Sequence, residues 1–141
     1  MQLSLYTDYS LRVLLYLGAN QGRRVAMTEI ADSYGISREH LRKVVHTLAQ
    51  MEIIETFRGK NGGFILKKSP GDINIGQVVE ATEQRKPLID CESQPCILTA
   101  SCSLKGMLGK AEMAFYDVLK EYSLADLLKN KSMQTILRAP Q

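Results

Sequence analysis

The sequence predicts a mainly α-helical fold with one small β-hairpin, and three observations lead to this class. Apolar residues recur at helical spacing between residues 8 and 50 and again after residue 103. Two β-prone runs, 53–57 and 64–66, flank an Asn-Gly pair, which is a strong hairpin signal. The order of a helix, two closely spaced helices, a hairpin and a long final helix is that of a winged helix–turn–helix with a C-terminal helix.

Three N-terminal helices are predicted from this periodicity and from residues that favour helix starts. Residues 8–20 form the first helix, with Thr7 as its N-cap. Thr28 is expected to cap the second helix, which ends at Gly35, and Ser37 to cap the third. Because glycine adopts positive φ without a steric penalty, Gly35 is expected to make the turn between the last two helices.

The third helix has an apolar face, with Leu41, Val44 and Leu48, and a polar face that points outward. Helices in the major groove read bases mainly with their N-terminal residues, so Arg38 and His40 are candidates for base contacts. Outward cations and the backbone N–H groups of two helix starts are candidates for phosphate contacts: Arg42, Lys43, Thr28 and Ser37.

The hairpin turn is cationic and rich in glycine, with the sequence Arg-Gly-Lys-Asn-Gly-Gly at 58–63. It predicts a wing whose Arg58, Lys60, Asn61 and Gly62 approach DNA, at the minor groove. A nucleotide-binding P-loop is excluded because Asn follows the lysine and a strand follows the loop. The alternative for the wing and for the third helix is a solvated surface with no nucleic-acid role.

Charge is distributed unevenly along the 141 residues. Residues 1–70 carry ten Lys and Arg against six Asp and Glu, whereas residues 71–141 carry eight against nine. A basic N-terminal half fits a double-stranded DNA partner. The chain has no apolar run that could span a bilayer, no secretory signal and no recognisable catalytic arrangement, so we expect a cytoplasmic protein that is not an enzyme.

The three cysteines of the chain, Cys91, Cys96 and Cys102, lie in a segment, 83–103, that has little periodicity. An odd count and a reducing compartment argue against a disulfide framework. The spacing is wider than in zinc fingers and suits an iron–sulfur cluster, although zinc or free thiols stay open. No fourth ligand is evident, because both histidines, His40 and His46, lie in the proposed recognition helix.

The long helix, residues 104–122, carries one apolar stripe that could pack against a twin helix to form a homodimer, or against its own domain. The predicted organisation is therefore a DNA-binding domain at 1–82, a cysteine loop at 83–103, and a dimerisation helix with a tail at 104–141. Ser123 is expected to cap a last short helix, and residues 130–141 to be loosely held.

Four segments resemble the small bacterial iron–sulfur winged-helix repressors that include IscR, RirA and NsrR. They are the N-terminal Met-Gln-Leu with 6–12, the wing 58–63, the Ile-Gly-Gln-Val-Val-Glu of 75–80, and the three-cysteine loop. The cysteine spacing and the wing look most like the nitric-oxide-sensing NsrR branch. IscR-like proteins place a ligand histidine shortly after the third cysteine, and this chain has Ser103-Leu104-Lys105 there.

The resemblance implies a [4Fe–4S] or [2Fe–2S] cluster held by the three cysteines and by an aspartate from the partner subunit, at the position of Asp8. It also implies a repressor that leaves a near-palindromic operator when nitric oxide nitrosylates the cluster. Asp8 has a second interpretation, because an acid in a first helical turn favours the helix dipole and can pair with Arg12. The alternative function is a thiol-based redox or metal sensor that uses the same cysteines.

Overall fold

The computed structural model describes residues 2–138, which form seven α-helices and one antiparallel hairpin. The mainly helical class with one hairpin is the predicted one, whereas the last helix was not predicted. A short 3-10 helix at Pro70–Asp72 follows the hairpin. The bounds are α1 Leu5–Ala19, α2 Met27–Tyr34, α3 Arg38–Gln50, β1 Ile54–Phe57, β2 Gly63–Leu66, α4 Ile75–Thr82, α5 Ser103–Lys120, α6 Leu124–Leu127 and α7 Lys131–Leu137.

Helix α1 begins earlier than predicted. Ser4 is its N-cap and accepts a hydrogen bond from the Thr7 N–H, so the expected cap at Thr7 is wrong. Thr7 is instead fully buried inside the helix, where its hydroxyl donates to a Glu83 carboxylate oxygen at 2.5 Å. The serine was overlooked because two hydroxyl residues precede the apolar stripe and only packing decides which of them is buried.

Helix α2 begins at Met27, so Thr28 lies within its first turn and is not the cap. Ala26 occupies the cap position, and its backbone N–H donates to the Glu29 carboxylate at 2.8 Å. The predicted cap of α3 is confirmed, because the Ser37 hydroxyl accepts from the His40 N–H.

The turn between α2 and α3 depends on Gly35, which has φ 65° in the left-handed region. Its conformation follows the prediction, and the Ile36 N–H donates back to the Ala31 carbonyl at 3.1 Å. Leu41 and Val44 are then fully buried, so α3 packs its apolar face inward. The outward face of α3 is thereby fixed by the turn and by this packing.

The hairpin pairs Ile54 with Leu66 and Phe57 with Gly63. Val25, in the loop before α2, extends it by two backbone hydrogen bonds to Phe64, at 2.9 and 3.0 Å. Gly63 lies directly under this loop, where a Cβ atom would come 2.6 Å from the Val25 carbonyl oxygen. The wing is therefore attached to the loop between α1 and α2, a contact that the sequence did not indicate.

The core is built around α1, and the C-terminal helices belong to it. Leu124 and Leu128 occupy the space that a Cβ atom on Gly18 of α1 would need, and the Asn20 side chain donates to the Leu137 carbonyl at 2.8 Å. The expectation of a loose tail at 130–141 is wrong as far as Leu137, since α7 is helical and Leu137 is buried. The last part of that expectation, 139–141, lies outside the described residues.

Helix α5 runs from Ser103 to Lys120, so Tyr122 of the predicted stripe lies beyond its end. Helix α5 crosses α4 closely: a Cβ atom on Gly76 of α4 would lie 2.5 Å from the backbone nitrogen of Lys120. Tyr116 is the buried contact, whereas most of the apolar stripe faces away from the domain. Across residues 2–138, no helix combines the length and the apolarity needed to cross a bilayer.

Candidate nucleic-acid interface and cysteine loop

The exposed side of α3 presents four predicted contact residues to solvent: Arg38, His40, Arg42 and Lys43. Among residues 2–138, the charged groups of Arg38, Arg42 and Lys43 form no ion pair. Ser37 and Thr28, at the starts of α3 and α2, are also exposed. The surface is cationic and accessible, and within residues 2–138 its arginines and lysine are not held in ion pairs, as a phosphate-binding surface requires.

The wing turn, residues 58–62, has the same character. Arg58, Lys60 and Asn61 are exposed, and neither cation has an ion-pair partner within the described part of the chain. Gly59 has φ 93°, and the Gly62 N–H donates to the Gly59 carbonyl at 3.0 Å. A Cβ atom on Gly62 would lie 2.5 Å from the Phe57 carbonyl oxygen, so this turn requires glycine there.

Helix α1 lies against α3 beside these residues. The Tyr6 hydroxyl donates to the Thr47 hydroxyl at 2.5 Å and lies 3.2 Å from the Lys43 carbonyl oxygen. The Tyr9 ring lies 6.0 Å from the His40 ring, between centroids. Helix α1 therefore contacts α3 directly beside its exposed cations, a link that the sequence analysis missed because the two helices are far apart in sequence.

Asp8 is held by Arg12 within its own helix, as the second interpretation of this residue expected. The two side chains form a bidentate pair, with Nη2 to Oδ2 at 2.9 Å and Nε to Oδ1 at 3.0 Å. This hydrogen bond raises the pKa of Arg12 above its ordinary value. The Arg12 guanidinium also lies over the Tyr34 ring, 5.6 Å from its centroid. The Asp8 side chain is 37% exposed, so its carboxylate remains in contact with solvent.

The first residues of the cysteine loop, Glu83 and Arg85, are held by contacts with three helices. The Glu83 carboxylate accepts hydrogen bonds from the Ser4 N–H at 3.0 Å, the Ser4 hydroxyl at 3.1 Å and the buried Thr7 hydroxyl. Two residues later, the Arg85 guanidinium pairs with Glu80 of α4 and lies over the Tyr116 ring of α5. The segment 83–85 thus connects the loop with the N-terminus of α1, with α4 and with α5.

The three thiols are free, with Cys96 exposed and Cys91 and Cys102 half-buried. Cys91 and Cys96 line one open hollow of about 610 Å³, and Cys102 is the N-cap of α5. Over residues 2–138, no three His, Cys, Asp or Glu side chains converge in a metal-binding geometry. The donor set fits an iron–sulfur cluster chemically, since thiolates bind iron, but binding requires the loop to close and a ligand from elsewhere.

Comparisons with known proteins identify the family of this chain. The family model Rrf2, described as an iron-dependent transcriptional regulator, matches residues 3–130. The chain is 46% identical to the HTH-type transcriptional regulator NsrR of Shouchella clausii, over 93% of this chain and 91% of that protein. It is 44% identical to the regulator of the same name from Bacillus subtilis, over 93% and 92%.

Solved structures share the fold. T. potens IscR superposes with a TM-score of 0.71 at 24% identity, over 92% of this chain and 88% of that one. Staphylococcus aureus CymR in its oxidized form has a TM-score of 0.72 at 21% identity, over the full length of both chains. The predicted family and fold class are confirmed, and the relatives are named as regulators, in agreement with a non-enzymatic role. The chain belongs to the Rrf2 family of iron-dependent transcriptional regulators.

Proposed function

We propose that the protein is a homodimeric, DNA-binding transcriptional repressor. Its affinity for its operator depends on an iron–sulfur cluster and is lost on exposure to nitric oxide. The observation that carries the DNA-binding part is the set of exposed cations on α3 and on the wing turn, which have no ion-pair partner in the described part of the chain, residues 2–138. Arginines and lysines in such an arrangement gain free energy by releasing counterions from phosphates.

Individual roles follow from position on the recognition face and the wing. Arg38 and His40, in the first turn of α3, read base edges in the major groove. Arg42 and Lys43, one turn later, contact phosphates, together with backbone N–H groups near Thr28 and Ser37. The wing supplies the minor-groove contacts from Arg58, Lys60, Asn61 and the backbone at Gly62.

A second copy of the chain is the proposed partner of α5. Three apolar side chains on one face of α5 are about half exposed or more: Leu104 at 49%, Met107 at 61% and, three turns further on, Val118 at 53%. Exposed apolar side chains in such a row favour a protein interface over contact with water. A two-fold dimer through α5 would present two recognition helices to successive turns of DNA and would require a near-palindromic operator.

The cluster is proposed to be held by Cys91, Cys96 and Cys102 of one subunit and by Asp8 of the other. When bound, it would supply iron, of either [4Fe–4S] or [2Fe–2S] type, that reacts with nitric oxide. The 44–47% identity to proteins named NsrR supports this assignment. Under this proposal, the Asp8 carboxylate leaves its ion pair with Arg12 when it binds at the cysteine loop of the other subunit.

The loss of the Asp8–Arg12 pair is linked to the DNA-binding face through the neighbours of Asp8 in α1. Asp8 lies between Tyr6 and Tyr9, which contact α3 at Thr47 and His40. A change in the position of α1 therefore alters the recognition face. A coupling free energy of about 1–3 kcal/mol between the two sites would alter operator affinity roughly 5–150-fold.

Operator binding by anaerobically purified protein tests the proposal. Fluorescence anisotropy with a labelled near-palindromic duplex should give tight binding for protein that contains iron and sulfide, and weaker binding for nitric-oxide-treated and metal-free protein. Cys96→Ser should resemble the metal-free protein in both affinity and iron content. Equal affinity in all preparations would refute the sensor mechanism, and the absence of any salt-sensitive binding would refute the DNA-binding function.

The second candidate is a thiol-based redox or metal sensor, which is favoured by the exposure of Cys96 among three free thiols. Exposed thiols oxidise readily when their pKa is low. Under this alternative, protein that never takes up iron would still bind its operator tightly, and a mild oxidant would change the affinity through a disulfide. Mass spectrometry of the oxidised protein would detect that bond.

A further inference from the structure

Arg24 lies outside the recognition helix and the hairpin, yet its side chain reaches the wing turn. Its guanidinium carbon lies 3.8 Å from the centroid of the Phe57 ring, at the end of β1. Its Nη1 donates to the carbonyl oxygen of Asn61, within the wing turn, at 3.2 Å. The next residue, Val25, forms the backbone bridge to Phe64. One short stretch of the α1–α2 loop therefore contacts both ends of the turn.

The strands of the hairpin are held by the core, where Ile54 and Phe64 are buried, but the turn 58–62 extends beyond this packing and is largely exposed. Within the turn, the backbone hydrogen bond is that of the Gly62 N–H to the Gly59 carbonyl. The Asn61 carbonyl and the Gly62 N–H belong to the same peptide group. Arg24 thus holds one side of that peptide plane while Gly59 holds the other.

We propose that Arg24 is a positioning residue for the wing: it fixes the 61–62 peptide and thereby presents Arg58 and Lys60 to the DNA. This rests on the proposed DNA-binding function. The role needs arginine, because a planar guanidinium stacks on a ring and donates a hydrogen bond in one geometry, whereas a lysine ammonium does not reproduce both contacts. Without Arg24 the wing cations remain, but the turn that carries them samples other conformations.

The competing explanation is that Arg24 acts only through its positive charge, and three variants separate the two. Arg24→Ala removes both the charge and the contacts, whereas Arg24→Lys keeps only the charge. Lys68→Ala is the control, because it removes another exposed charge from the surface cleft that Arg24 and Lys68 both line. Operator affinity should fall about tenfold in both Arg24 variants and less than about twofold in Lys68→Ala. Wild-type affinity in Arg24→Lys, or an equal loss in Lys68→Ala, would overturn the proposal.

A double-mutant cycle with the wing gives a sharper test. In the background Arg58→Ala with Lys60→Ala, the wing has no cations left to position, so Arg24→Ala should cause less than about a twofold further loss. An undiminished tenfold loss in that background would show that Arg24 contacts DNA independently of the wing, and would overturn the positioning role.

Amide hydrogen exchange provides a measurement that needs no DNA. The Gly62 amide should exchange at least about fivefold faster in Arg24→Ala and Arg24→Lys than in the wild-type protein, with core amides of α3 unchanged. Unchanged protection at Gly62 would refute the proposal even if DNA affinity fell. If the wild-type protein fails to bind any operator, the proposed function fails, whereas the exchange experiment still decides the contact between Arg24 and the turn.

Discussion

Replacing Glu83 with glutamine should destabilise the protein in a pH-dependent manner. The carboxylate accepts three hydrogen bonds, from the Ser4 N–H, the Ser4 hydroxyl and the Thr7 hydroxyl, and Thr7 is fully buried. A hydrogen bond to a charged group contributes about 1.5–3 kcal/mol. Because Glu83 is partly exposed and glutamine keeps one acceptor oxygen, we expect Glu83→Gln to lower the free energy of unfolding by about 2 kcal/mol.

The sign of the pH dependence follows from the pKa of Glu83. Desolvation raises this pKa, but the hydrogen bonds from Thr7 and Ser4 together outweigh it, so the pKa lies below its ordinary value. A carboxylate with a depressed pKa stabilises the fold above the pKa of the unfolded state, and this contribution disappears as pH falls through the folded pKa. The difference between wild type and Glu83→Gln should therefore be full at pH 7 and shrink below roughly pH 4.

Urea denaturation followed by circular dichroism at pH 7 and pH 3.5 measures both quantities. Glu55→Gln is the matched control, since Glu55 is exposed on β1 and its carboxylate has no ion-pair partner within residues 2–138. For a domain of this size, a loss of about 2 kcal/mol should also lower Tm by roughly 5–10 °C. Equal stability of Glu83→Gln and wild type at pH 7, or a deficit that persists unchanged at pH 3.5, would contradict the reasoning.

Four further substitutions test the helix packing, the exposed face of α5 and the cysteine loop. Gly76→Ala should cost about 2–4 kcal/mol, because its Cβ would meet the Lys120 backbone. Gly106→Ala, whose Cβ would meet nothing within 4 Å beyond its own stretch of helix, should instead stabilise α5 by about 0.5–1 kcal/mol, as thermal melts of both variants would show. Met107→Glu should convert a dimer into a monomer in sedimentation velocity while leaving helix content unchanged, and a persistent dimer would exclude this face of α5. Cys96→Ala should lose iron and remain folded and dimeric; loss of helix content would instead indicate a structural metal.

The local elements were predictable because each carries its own signal. The period of apolar residues located α3, and Asn-Gly located the wing turn. The two-residue turn that Asn-Gly favours is not formed, because the turn spans 58–62 and the positive φ angles are at Gly59 and Gly63. The positive φ of Gly35 followed from its place between two helices. Helix starts were less predictable, since Ser4 and Thr7 are both acceptable caps in isolation and the burial of Thr7 by Glu83 decides between them.

The apolar stripe of α5 illustrates a partial prediction. Its periodicity predicted a helix with an apolar face, and α5 is that helix. Which residues turn toward the domain depends on how close α4 approaches, and the contact at Gly76 brings Tyr116 inward while Met107 stays exposed. No periodicity distinguishes a face covered by the same chain from one left open.

By itself, the sequence determined the order of helices and hairpin, the cationic character of α3 and the wing, and the presence of three thiols in one loop. These depend on spacing between near neighbours, which the chain carries in any conformation. The tertiary structure decided the contacts between distant segments: Arg24 with Asn61, Glu83 with Thr7, and Leu137 with Asn20. Such contacts depend on the directions in which packed helices bring side chains together, and local periodicity does not encode those directions.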